Sequence, residues 1–138
     1  MDPVFRAPMR ARSHDALPGV GAEHGLARGV VGIGDTDEAR IGRFGAVPEG
    51  VFVWTRDTNG MYWLGRIAGP LLTADGTAGL THVRAAEWLE GPCGEDAVPA
   101  GVAATFARGG RNFQRTHGDA VERRTAELWA AEGPRKGY

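Results

Sequence analysis

Residues 50–69, GVFVWTRDTNGMYWLGRIAG, read as two strands joined by a tight turn. Val51-Phe52-Val53-Trp54-Thr55 is β-branched or aromatic throughout, the composition that suits a pleated, half-buried surface. Asp57-Thr58-Asn59-Gly60 follows, and Asn-Gly is a strong hairpin signal because both residues tolerate positive φ. Residues 61–67 form the returning strand. Side chains alternate across a strand, so Phe52 and Trp54 share one face while Val51 and Val53 share the other. Two tryptophans and a tyrosine thus fall within ten residues of one hairpin, and the expected function sits on the sheet built around it.

Upstream, residues 29–34 (GVVGIG) form another strand, preceded at 23–28 by a short helix that Gly29 stops. Residues 35–47 read as a long polar loop, a functional excursion rather than a minimal connector. Residues 1–21 read as an N-terminal arm and 22–138 as a single domain. Arg6, Arg10 and Arg12 make the arm locally basic. It is either a solvated tail or an arm that contacts phosphates.

Downstream, residues 73–77 are a turn cluster and 81–89 a third strong strand. His82, Arg84, Ala86 and Trp88 share one of its faces. Two helices close the chain. Pro99 suits a helix start, with Val102 and Phe106 on one face and Gly109-Gly110 at the end. Asp119 and Glu122 resemble a capping box, followed by the stripe Val121, Thr125, Leu128 and Trp129. Strands followed by helices give an α+β fold: a small curved, barrel-like sheet with flanking and C-terminal helices.

Length and composition set bounds. The 138 residues fit one domain, and the net charge of −1 leaves any basic surface to be local. Glycine, 22 residues, falls between apolar runs without a period, as in short strands and turns. The single cysteine, Cys93, excludes an internal disulfide and a multi-cysteine zinc site, which fits a reducing compartment. No apolar run approaches the roughly 18–20 residues that span a bilayer. The expectation is a soluble, cytoplasmic protein with no membrane partner.

Enzyme signatures are weak. Gly32-Ile33-Gly34 lacks the third glycine of a dinucleotide fingerprint, because position 37 is Asp. His14, His24, His82 and His117 are dispersed without metal-ligand spacing. Asp35, Asp37 and Glu38 read as a solvated acidic loop, and Cys93 has no histidine near it in sequence. The expectation is no catalysis, no cofactor and no metal.

Two features point to binding. Trp54, Trp63 and Trp88 lie on three strands of one small sheet, and a tryptophan that lines a concave pocket stacks on a flat heterocycle. Residues 97–118 contain no acid, and within FARGGRNFQRTH lie Arg108, Arg111 and Arg115, with Phe113 between them. Asn112 and Gln114 can hydrogen-bond base edges or phosphates. The alternative is a small protein-interaction subunit whose exposed aromatics meet a partner's groove.

GVVGIGD, PEGVFVWTRDTNGMYWLGRIAGP and HVRAAEWL together resemble the strand motifs of the PUA-like superfamily. The nearest likeness is to its EVE and YTH branches and to the specificity domains of modification-dependent restriction enzymes. The resemblance covers about residues 29–115. It implies a curved β-barrel flanked by helices, whose pocket takes a flipped-out modified base of DNA or RNA. It implies Trp54, Trp88 and Trp63 as pocket aromatics, with Gly34 and Asp35 at the mouth; Asp35 stands where these domains often carry tryptophan. Arg108, Arg111, Asn112, Phe113 and Arg115 would form the nucleic-acid rim. Such a module guides an effector enzyme, because it has no cutting chemistry of its own.

Overall fold

A computed structural model describes residues 3–11, 17–110 and 112–132. Along the chain these form β1 (Val4–Arg6), α1 (Val20–Arg28), β2 (Val30–Ile33), α2 (Glu38–Ala46), β3 (Phe52–Arg56) and β4 (Tyr62–Ile67). Then follow β5 (Leu72–Thr73), a 3-10 turn (Thr77–Gly79), β6 (His82–Trp88), α3 (Ala100–Ala107), β7 (Gln114–Thr116) and α4 (Asp119–Glu132). Six strands make one mixed, curled half-barrel sheet in the order β2-β6-β4-β3-β1-β7, and β5 adds to β6 off this path. The fold is α+β, as expected. No described helix is long and apolar enough to cross a membrane.

The β3–β4 hairpin is the centre of the sheet. Its register sets Trp54 opposite Leu64 and Thr55 opposite Trp63. The turn differs in detail from the expected one, because Gly60 has φ +80° while Asn59 stays outside the left-handed region. Gly60 N–H donates to the Asp57 carbonyl at 3.1 Å, and Asp57 Oδ1 accepts from the N–H groups of Asn59 and Met61 at 2.9 Å each. Glycine thus supplies the single left-handed residue, and the aspartate satisfies the donors the turn leaves over.

Both faces of the hairpin are buried. Val51 and Val53 join Val31, Ile33, Phe44, Ile67 and Trp88 in one core cluster. Trp54, Leu64 and Val4 join Val102, Val121, Leu128 and Trp129 in a second, under α3 and α4. The helical stripe of α4 is therefore core, as its spacing implies.

Three segments depart from the sequence reading. The expected N-terminal arm contributes an interior strand. β1 pairs in parallel with β3 and antiparallel with β7, and Val4 and Ala7 are fully buried. The expected polar loop at 35–47 holds α2, started by Asp37, whose carboxylate accepts from Ala39 N–H at 2.8 Å. Ile41 and Phe44, three apart, turn its apolar side to the core. β7 is polar in sequence, and its pairing with β1 imposes its extended backbone.

Two buried arginines hold helix ends in place. Arg84 on β6 donates from Nε to the Gly69 carbonyl and from Nη1 to the carbonyls of Phe44 and Val47 at the end of α2. Arg6 on β1 donates from Nη1 to the carbonyls of Thr105 and Gly109 at the end of α3. Each satisfies carbonyls that a helix C-terminus leaves without an internal donor.

Candidate functional site

The tryptophan trio does not form an open slot. Trp54 is fully buried, and its indole N–H donates to Thr125 Oγ1 on α4 at 3.1 Å. Trp88 is 7 % exposed, and its N–H points to the Val30 carbonyl at 3.3 Å. The two rings lie in different core clusters, so neither offers a face for stacking. This corrects the expectation for Trp54 and Trp88. Its physical reason is that helices cover both sides of the sheet and each indole finds an internal acceptor. Trp63 is half-buried and donates to Asp57 Oδ2 at 2.9 Å, which ties it to the hairpin turn.

Four of the other expected residues, Gly34, Asp35, Asn112 and Phe113, do converge. Gly34 and Asp35, just after β2, line one cavity of about 270 Å³ with Asn112, Phe113 and Gln114. Arg40 and Arg43 of α2 complete its polar side, and Ile33 and Phe44 its apolar side. The fold brings these segments together because β2 and β7 are the two ends of the curled sheet.

Each side of the cavity is held by a definite set of contacts. Asp35 N–H donates to Thr81 Oγ1 at 3.0 Å, and the Thr81 hydroxyl also lies 3.0 Å from the Asp35 carbonyl. Asp35 Oδ1 accepts from the N–H groups of Thr36 and Asp37 at 2.8 and 2.9 Å. Arg40 Nη1 lies 3.1 Å from Asp37 and 3.7 Å from Asp35. A cation and two carboxylates thus stand at the entrance to α2. Opposite them, Phe113 stacks on Phe5 with centroids 4.9 Å apart and planes 3° from parallel. The same ring meets Phe44 edge-on, also at 4.9 Å. These contacts fix the backbone from which Asn112 and Gln114 project.

The expected basic rim divides. Asn112 and Phe113 line the cavity, and Arg111 lies outside the described residues. Arg115 is ion-paired to Glu122 of α4 at 3.2 Å. Arg108 ends α3 on the exposed surface, close enough to Arg6 to repel its charge. Sequence reading missed Arg40 and Arg43. Their signal was the cap at Asp37, which starts a helix and sets two arginines three residues apart on it.

A second and larger cleft, about 530 Å³, lies beside the hairpin turn. Arg6, Arg10 and Arg56 line it together with Asp57, Phe106 and Gly110. Among the described residues no group of His, Cys, Asp and Glu side chains is placed to hold a metal ion. The large apolar side chains exposed among them are Leu17, Met61 and Leu72, none of them aromatic. Among the described residues, then, no aromatic ring is among the exposed large apolar side chains that a partner's groove would take.

Compared with known proteins, the chain matches no family model, no curated protein and no solved structure.

Proposed function

We propose that this chain is a non-catalytic, PUA-like nucleic-acid-binding module. It takes a base of DNA or RNA, a modified one in the sharpest form of the reading, into the cavity between Asp35 and Phe113. One observation carries this reading: Gly34-Asp35 and Asn112-Phe113-Gln114, far apart in sequence, line one concave site. That site sets donors and acceptors around an apolar floor. A carboxylate, two side-chain amides and two guanidinium groups can satisfy the edge of a heterocycle, while Phe44 and Ile33 contact its body. The base-reading role passes from the buried indoles to this cavity. Arg43, on the exposed side of α2, is positioned to contact a flanking phosphate. Reactions on the nucleic acid belong in this reading to a partner enzyme that the module guides.

The test is fluorescence anisotropy with labelled single-stranded DNA and RNA at two salt concentrations. Binding should weaken as salt rises, because neutralised phosphates release counterions. Arg43→Gln should weaken binding to all sequences alike and reduce the salt slope by about one. Asn112→Ala should instead reduce discrimination between bases, by about 1–3 kcal/mol. Binding that is absent, or insensitive to salt, overturns the proposal.

A further inference from the structure

The larger cleft has no part in base reading, yet its charge is unusually concentrated. Among the described residues, three arginines line it against one carboxylate, Asp57. That carboxylate is already committed to the N–H groups of Asn59 and Met61 and to the indole of Trp63. Glu23, the nearby acid on α1, accepts from the N–H and hydroxyl of Thr58. Among the described residues no carboxylate pairs with Arg6, Arg10 or Arg56. Among the described residues, the positive charge at the cleft thus has no ion-paired carboxylate.

Two of these arginines also carry buried donors left over. Arg6 is 6 % exposed, and while its Nη1 serves two carbonyls, its Nε–H has no partner. Arg10 Nε–H is likewise buried and unpartnered. An unmade hydrogen bond at a buried charged donor is costly, so such groups mark a place where a ligand supplies the acceptor. Burial and the neighbouring Arg108 push the Arg6 guanidinium down from its ordinary value, a strain that a bound anion relieves.

The cleft is also built rather than incidental. Met9, just before Arg10, is held at φ +54° with its side chain buried against α1 at Gly25. That packing fixes the bend from which Arg10 leaves the chain. Arg56 is braced from the other wall by its Nε–H bond to the Gly60 carbonyl and by the Tyr62 ring beneath it.

We propose that the cleft between Arg6, Arg10 and Arg56 binds a phosphate monoester, the terminal phosphate of a nucleic-acid strand or a free mononucleotide. A phosphodiester carries one negative charge, whereas a monoester carries close to two, with three strong acceptor oxygens. Three guanidinium groups on one cleft match the dianion, and their planar forks suit its oxygens. Phe106 and Pro8, which also line the cleft, offer apolar surface to the attached nucleoside. The strand-end form of this inference rests on the nucleic-acid reading above; the mononucleotide form does not.

The experiment compares one oligonucleotide sequence carrying either a 5′-phosphate or a 5′-hydroxyl, a second pair differing at the 3′ end, and adenosine monophosphate against adenosine. Affinity is read by competition and melting temperature by thermal shift. A terminal phosphate at one end should tighten binding about tenfold, or the monophosphate alone should raise the melting temperature where the nucleoside does not. Arg56→Gln, at an exposed residue, and Arg10→Gln should each remove that difference. If oligonucleotides fail to bind but the monophosphate stabilises the protein through Arg56, the cleft assignment stands and the nucleic-acid reading falls. If all oligonucleotides bind alike, adenosine monophosphate has no effect and both variants behave as wild type, the cleft assignment is wrong and the nucleic-acid reading survives.

Discussion

Gly65 on β4 lies directly opposite Trp88 on β6, and the indole occupies the space that a side chain at Gly65 would need. A Cβ there would come within 2.5 Å of the Trp88 ring. Because β4 and β6 are hydrogen-bonded neighbours there, a side chain at Gly65 must displace the ring or the strand. Gly65→Ala should therefore destabilise the fold by about 1–3 kcal/mol, the usual cost of overpacking. Urea denaturation gives the number, and an unchanged midpoint would show that the ring shifts freely.

Trp54 separates stability from binding. Replacing it with Phe removes the indole bond to Thr125 and leaves a small void, at a cost of about 1–3 kcal/mol. Because the ring is sealed beneath α4, affinity for an oligonucleotide should not change in the folded variant. A loss of base discrimination without loss of stability would return Trp54 to the binding site.

Arg84 is 3 % exposed and serves three carbonyls. Burial lowers its affinity for a proton, and Glu49 offsets this in part. Arg84→Met keeps much of the volume but strands those acceptors, and should cost about 2–4 kcal/mol. Arg84→Lys should recover only part of this, since an ammonium cannot reproduce the planar fork. The effect should be largest at α2, which hydrogen exchange at its amides would report.

Cys93 is buried in an isolated bridge opposite Tyr62. Burial, followed by the charge of Glu132, pushes its thiol above the ordinary value, and Arg124 opposes this weakly. A raised folded value favours the neutral thiol in the native state. The stability it contributes is thus complete below the unfolded thiol's pKa and is lost as pH rises through the folded one. A thiol reagent at pH 8 should react slowly with native protein and rapidly after denaturation. Equal rates would contradict the burial.

Much of the fold was legible from residues 50–67 and 82–89, because β-branched and aromatic alternation is a long-range-independent signal. The stripe from Val121 to Trp129 was equally clear. β1 and β7 were not legible: three residues each, Val4–Arg6 and Gln114–Thr116, are too short to show a period, and only long-range pairing, of β1 with β3 and of β7 with β1, makes them strands. α2 was hidden by its glycines and by having few apolar side chains, although Asp37 was a readable cap. The candidate site was half legible. Gly34, Asp35, Asn112 and Phe113 were named from sequence and do line one cavity. The tryptophans were misplaced because alternation assigns residues to faces but does not say that both faces will be covered. Arg6 and Arg10 were visible as basic residues, but a terminal segment's charge does not reveal that its backbone lies inside a sheet.

On the proposed function, a nucleic-acid strand meets this protein at the cavity between Asp35 and Phe113. Amide chemical-shift mapping of isotope-labelled protein, titrated with a single-stranded oligonucleotide, tests it most directly. Shifts should cluster at Gly34, Asp35, Arg43, Asn112 and Gln114, leaving Trp54 and the α4 residue Leu128 still. Shifts confined to the surface around Leu72, or none at saturating strand, would contradict it.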